Sequence, residues 1–159
     1  MLELPHSSDC LVCGRNNPLG LKLHLLVDEL NGEVRCHYTP QPQHVGFEGV
    51  VHGGVIATVA DEAMVWACTW RGKRFCVCGE MTVRFRQSVA VGQTLLFVAH
   101  VEFSRPKLIE ATAKITDTAN TLIATATGKY VPVAPDQHKR FAMTMIDEPE
   151  TSQALAQLR

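Results

Sequence analysis

The stretch Val51-His52-Gly53-Gly54-Val55-Ile56-Ala57-Thr58-Val59-Ala60-Asp61-Glu62-Ala63-Met64 decides the reading of this chain. A His-Gly-Gly turn opens a nearly all-apolar helix, and two adjacent carboxylates follow two turns later. Burying an unpaired carboxylate is expensive, so Asp61 and Glu62 need a reason to be there. A helix start made of glycines offers unpaired backbone N–H groups and the positive end of the helix dipole. Donors for an oxyanion and a carboxylate for a proton therefore share one element. That pairing points to chemistry on an acyl group.

Working outward, the helix is expected over about 53–70, with apolar residues around most of its circumference, as in a helix enclosed by other elements. Before it, Leu21, Leu23, Leu25 and Val27 alternate with Lys22 and His24, and Val34, Cys36 and Tyr38 alternate with Glu33, Arg35 and His37. Asn31-Gly32 suits a tight hairpin turn between them. Residues 40–51 read as a loop. After the helix, four alternating runs predict strands. The first places Phe75, Val77, Met81, Val83 and Phe85 on one face, against Cys76, Cys78, Glu80, Thr82, Arg84 and Arg86. The others cover Leu95 to Phe103, Ile109 to Ile115 and Leu122 to Val131. Short turns imply antiparallel neighbours. The result is an α+β arrangement, one long helix against an antiparallel sheet of about six strands. Exposed strand edges need protection, which predicts a homodimer, with a dimer of dimers as an extension. Residues 1–19 read as an irregular N-terminal segment, 20–133 as the domain, and 134–159 as a C-terminal tail with a short helix over 151–158.

The 159 residues are enough for one domain with a real core, and a net charge of −1 gives no general attraction to nucleic acid or anionic membranes. No apolar run is long enough to span a bilayer, and the N-terminus lacks a signal-peptide pattern, so the expected location is cytoplasmic. Six cysteines then read as thiols. Cys10-Leu11-Val12-Cys13 has metal-like spacing, but zinc needs further ligands. No second Cys-x-x-Cys or paired His follows, and His6 or His24 would join only through folding. A reduced pair in a packed turn is the expectation, with no metal and no cofactor.

Three segments carry a family resemblance. They are Gly49 to Ala63, Met81-Thr82-Val83-Arg84-Phe85-Arg86-Gln87-Ser88-Val89-Ala90-Val91-Gly92, and Cys10-Leu11-Val12-Cys13-Gly14-Arg15-Asn16-Asn17-Pro18-Leu19-Gly20-Leu21. Together with the element order over 20–133, they resemble hotdog-fold acyl-CoA thioesterases of the PaaI and hydroxybenzoyl-CoA thioesterase type. The resemblance implies a helix wrapped by the sheet, pairing of two subunits, and hydrolysis of an acyl-CoA thioester at the subunit interface. Asp61 matches the family's catalytic acid, Gly53 and Gly54 the turn that receives the thioester carbonyl, and His52 the motif histidine. Two positions depart. Many relatives carry Asn where this chain has Gly46, leaving His44 or Glu48 as substitutes. Relatives place Ser or Thr where this chain has Cys78.

Within that frame Asp61 is expected as general base or nucleophile, with Thr58 and Gly54 on its helix face. Glu62 projects about 100° away and reads as a structural or accessory group near substrate; Glu80 reads as a solvated or ion-paired residue. His52 is expected to orient the turn, and Cys78 to support the substrate site rather than attack. Arg84, Arg86, Arg105 and Lys107 are candidates for CoA phosphates, alongside the plain reading of surface charge. Other readings are a hydratase or dehydratase on acyl thioesters, and a non-catalytic acyl-CoA binder. Gly53-Gly54 and Asp61 would lie about 10 Å apart along one helix, a separation suited to meeting across two subunits.

Overall fold

The computed structural model describes residues 1–159. A 20-residue helix, α1 (Gly53–Gly72), lies against one seven-stranded antiparallel sheet. In chain order the sheet strands are β1 (Leu2–Glu3), β2 (Leu26–Val27), β3 (Val34–Tyr38), β6 (Cys76–Phe85), β7 (Leu95–Arg105), β8 (Leu108–Asp117) and β9 (Leu122–Pro132), arranged β1-β2-β3-β7-β8-β9-β6. A separate pair, β4 (Val45–Phe47) and β5 (Val50–Val51), leads into α1. No helix is long and apolar enough to cross a membrane.

Small side chains decide how closely helix and sheet approach. Ala99 pairs with Ala113 and Ala113 with Ala126, a row of three buried alanines across the central strands. Ala60, Ala63 and Ala67 are fully buried on α1, between the larger Ile56, Met64, Trp66 and Trp70. The opposite sheet face carries Glu102, Glu110, Thr112, Thr127 and Lys129. That face is polar and needs no second layer. The unprotected parts are elsewhere: β6 ends the sheet with no neighbour on its outer side, and Val77 and Phe85 along it are 45% and 49% exposed.

Several local expectations are corrected. The alternation over 21–27 keeps Leu23, Leu25 and Val27 buried, yet only Leu26–Val27 joins the sheet. Lys22 has φ 55°, and Leu21 and Leu23 donate to the carbonyls of Leu11 and Val12, so this stretch is tied to the N-terminal segment. The β2–β3 connection is a six-residue loop closed by Asp28 and Glu33 rather than a two-residue Asn-Gly turn, with Gly32 at φ 74°. The region read as a loop over 40–51 contains a short 3-10 turn (Pro42–His44) before β4 and β5.

The C-terminal region holds a helix that the sequence reading passed over, α2 (Pro135–Thr144), and the expected short one, α3 (Ser152–Ala156). Pro135 stands in the first turn of α2, where its missing N–H costs nothing. Phe141 and His138 of α2 pack on Phe75, and Leu155 and Leu158 are buried.

Ala113→Leu is expected to destabilise the protein by about 1–3 kcal/mol through overpacking beneath α1, read by urea denaturation. A change below about 0.5 kcal/mol, the size seen at ordinary surface sites, would show that the alanine row does not set the helix–sheet distance.

Candidate active site on the long helix

The N-terminus of α1 is built by His52. Its Nδ1 accepts the Gly54 N–H at 2.9 Å, and its own N–H donates to the His44 carbonyl. Gly54 N–H is therefore engaged by the cap. The Gly53 N–H, at the first helical position, has no carbonyl four residues back to bond and no hydrogen-bond partner elsewhere in the chain. Of the two glycines, Gly53 holds the free donor. It opens into a cleft of about 440 Å³ lined by Phe47, Val50, Phe85, Arg86 and Ser88 among others. A Cβ on Gly53 would come within 3.2 Å of the Phe85 ring, so the glycine keeps the backbone close to that wall.

Gly46 has a similar explanation. A Cβ there would lie 3.0 Å from His52 Cα, so β4 approaches the capping residue only with glycine at this position. His44 is not a free substitute for an asparagine. Its Nδ1 lies 2.6 Å from the Tyr38 hydroxyl and accepts the Gln41 N–H at 3.0 Å. Glu48 stands exposed in the turn between β4 and β5.

Two turns along the helix, the Tyr130 hydroxyl donates to Asp61 Oδ1 at 2.8 Å. Tyr130 comes from β9 and is fully buried, and burial together with the Asp61 charge pushes its phenol far above the ordinary value. It therefore remains a neutral donor at any physiological pH. Gly128 makes room for the ring: a Cβ there would sit 2.6 Å from Tyr130 Cε2. Sequence reading missed Tyr130. The available signal was an aromatic residue with a hydroxyl on the inward face of the last strand.

Cys78 joins this group through an irregularity. It pairs with Tyr130 across β6–β9, then the register shifts at Gly79 before Glu80 pairs with Lys129. The bulge turns Cys78 to the same face as Met81, Val83 and Phe85, where the alternation had placed it opposite. Burial first, then the Asp61 charge, raises the Cys78 thiol above its usual value. A neutral thiol is a weak nucleophile, which argues against attack by Cys78.

The remaining candidates separate. Thr58 donates its hydroxyl to the Gly54 carbonyl at 2.8 Å, one turn earlier on the helix. Glu62 faces away from Asp61: its Oε1 accepts the Trp66 indole N–H at 3.0 Å, and burial lifts its carboxyl to about 7. It thus lies against the N-terminal segment and not beside Tyr130 and Cys78. Arg86 lines the cleft at Gly53. Arg84 lies on the outer face with Glu80, which pairs with Lys129 at 3.2 Å. Arg105, stacked on Phe103, lies with Gly72 and Arg74 at the far end of α1, and Lys107 is in the adjoining β7–β8 turn. Within one chain these cations do not converge.

Residues 48–124 match the family model of the thioesterase superfamily. The chain has the hotdog fold, one long helix against an antiparallel sheet, as do solved structures of that superfamily. Acyl-coenzyme A thioesterase 13 of Homo sapiens and that of Pongo abelii are each 31% identical over 78 residues, covering 48% of this chain. The match spans 55% of the length of those relatives. Among solved structures of the superfamily, zebrafish thioesterase superfamily member 2 aligns with a TM-score of 0.65 at 26% identity, covering 76% of this chain and 87% of its own. The Escherichia coli PaaI protein of the phenylacetic acid degradation operon aligns with a TM-score of 0.66 at 23% identity, covering 72% and 81%. A Streptococcus mutans protein bound to acetyl-CoA shares the fold, with a TM-score of 0.65 at 19% identity over 70% and 89%.

Gly128→Ala is expected to cost about 1–3 kcal/mol, because the Tyr130 ring must leave its place beside Asp61. Tyr130→Phe, which removes only the hydroxyl, is expected to cost about 1 kcal/mol. Denaturant titration of both ranks them, and the reverse order would refute the role given to Gly128.

Proposed function

We propose that the protein hydrolyses an acyl-CoA thioester to the free acid and CoA. The observation that carries this reading is the pair of groups on α1: a free Gly53 N–H at one end and a hydroxyl-bonded carboxylate, Asp61, two turns on. The Gly53 N–H and the helix dipole stabilise the oxyanion as the thioester carbonyl is attacked. Asp61 takes the proton from the attacking water with its second oxygen, Oδ2, while Tyr130 holds Oδ1. Collapse of the tetrahedral intermediate expels the CoA thiolate, which the proton held by Asp61 can neutralise. Direct attack by the Asp61 carboxylate is the variant, and oxygen-18 incorporation from labelled water separates the two. Tyr130 supplies the hydroxyl that relatives carry as Ser or Thr at the position of Cys78.

Eight residues of helix place Gly53 and Asp61 about 12 Å apart, too far for both to touch one reacting carbonyl. Pairing of β6 with the β6 of a second copy would cover the open edge and bring Gly53 of one subunit toward Asp61 of the other. The same pairing would bring Arg105 and Lys107 of one subunit nearer the Arg86 cleft of the next, a route to CoA phosphate contacts. The Streptococcus mutans neighbour's bound acetyl-CoA supports the substrate class. The cytoplasm is the compartment that fits this substrate and six unpaired thiols.

Release of CoA thiol from a panel of acyl-CoAs tests the reading. Asp61→Asn is expected to lower kcat by about 10²–10⁴-fold with the fold intact; unchanged turnover refutes the assignment. Saturable binding of acyl-CoA by the wild type with no CoA release identifies a binder instead.

Subunit mixing tests the shared site. Gly53→Pro removes the free N–H at a position where proline fits a helix start, and it is expected to lose about 10²-fold in kcat. Mixed and reassembled with Asp61→Asn, it should recover roughly a quarter of wild-type activity, because half of the dimers then hold one complete site. No recovery, with heterodimers confirmed by native mass spectrometry, places both groups in one chain.

A further inference from the structure

The N-terminal Cys10-Leu11-Val12-Cys13-Gly14 turn and Glu62 form a second polar cluster, separate from the Asp61 group. The two Sγ atoms and a Glu62 carboxylate oxygen all lie within 4.8 Å of one another. Tetrahedral zinc, with Zn–S near 2.3 Å, needs its sulfurs about 3.7 Å apart. The 4.8 Å bound on the three ligand atoms is compatible with that spacing.

The turn is built for ligation. Val12 N–H points at Cys10 Sγ at 3.3 Å, and Gly14 N–H donates to the Cys10 carbonyl at 3.0 Å. N–H groups aimed at a sulfur favour its thiolate form, the form that binds metal. Gly14 carries no side chain for a physical reason: a Cβ would lie 2.4 Å from the Cys10 oxygen and 2.5 Å from its nitrogen. Leu11 and Val12 accept from Leu21 and Leu23, so the turn is fixed in the chain rather than loose on its surface. Cys13 is buried and Cys10 half-buried.

Glu62 supplies what the sequence could not show, a third ligand from 49 residues away. On its own side of the helix it accepts the Trp66 indole N–H on one oxygen and lies against the Cys13 thiol. A partly buried carboxylate set against two thiols is best balanced when a cation lies between it and their sulfurs. His6 and His24, the ligands that the sequence offered, are elsewhere: His24 bonds Glu3 at 2.8 Å, and His6 faces Glu148 at 3.6 Å.

We propose that Cys10, Cys13 and Glu62 bind a thiophilic divalent cation of the zinc class, clipping the N-terminal segment to α1. Two thiol protons leave as the thiolates coordinate, and the fourth position, on the half-exposed Cys10 side, takes water. No redox step is involved.

Protein purified in reductant without chelator should carry close to one zinc per chain by elemental mass spectrometry, and Cys10→Ser/Cys13→Ser should carry almost none. Adding Co²⁺ to the metal-free wild type should give a sulfur-to-cobalt charge-transfer band in the near ultraviolet. Glu62→Gln keeps both thiols and should retain that band while weakening Co²⁺ affinity by about tenfold or more. Zinc should also raise the Tm of the wild type and not of the double variant. Wild type that takes up no Co²⁺ with a thiolate band overturns the proposal without recourse to any variant. So does an intact mass showing that Cys10 and Cys13 have lost their two hydrogens to a disulfide under the purification conditions. Affinity unchanged in Glu62→Gln removes Glu62 from the ligand set and overturns the three-ligand site. None of these readouts depends on thioester hydrolysis, so the two proposals fail separately.

Discussion

Enclosing a 20-residue helix that is apolar almost all round is the constraint on which the rest of the structure depends. Such a helix has no solvated face to spare, so the sheet must come close along its whole length. The alanines at 99, 113 and 126 allow that approach, facing a helix that itself turns Ala60, Ala63 and Ala67 inward. Every polar side chain on the buried part of the helix must then find a specific partner. Thr69 receives the Cys76 N–H, Asp61 the Tyr130 hydroxyl, and Glu62 the Trp66 indole N–H. Few options exist for each, which is why the geometry around them is so specific.

The same constraint explains why the candidate site is spread along the helix rather than gathered at one point. A helix start can offer a free N–H only at its first turn. A carboxylate held by a strand hydroxyl can occur only where a strand crosses beneath. In this chain β9 crosses at Asp61, near the sheet edge formed by β6. The edge strand is long, carries exposed Val77 and Phe85, and has no neighbour. Edge, donor and carboxylate thus lie on one side of the molecule.

The alternation and turn residues made the element order, the enclosed helix and the antiparallel sheet legible in the sequence, because those signals are local. The His-Gly-Gly turn and Asp61 were legible for the same reason. Three features were not. Tyr130 lies 69 residues from Asp61, and only the sheet register brings them together. The bulge at Gly79 reverses the face of Cys78, and a glycine in a strand signals a bulge without saying which side will turn. The stretch 21–25 alternates like a strand, but Leu21 and Leu23 donate to residues 11 and 12 and Leu25 accepts from Leu4, an allocation that the alternation does not encode.

Asp61 and Glu62 show how far one residue of helical rotation can separate two identical chemistries. Neighbouring carboxylates on a helix point about 100° apart. On this helix that angle carries one to the strand β9 and the other to the N-terminal turn. Asp61 meets a neutral hydroxyl, which holds one oxygen, and the Cys78 thiol beside the open edge. Glu62 meets an indole N–H and two thiols, and burial first, then the neighbouring Cys10 and Asp61, lifts its carboxyl to about 7. The two environments adjoin through a single peptide unit in the stiffest element of the fold. Whatever fixes Glu62 against the N-terminal segment therefore also fixes the rotation of α1 about its axis, and with it the direction in which Asp61 faces Tyr130. An N-terminal segment about 50 residues away in sequence thus becomes part of how the carboxylate is aimed.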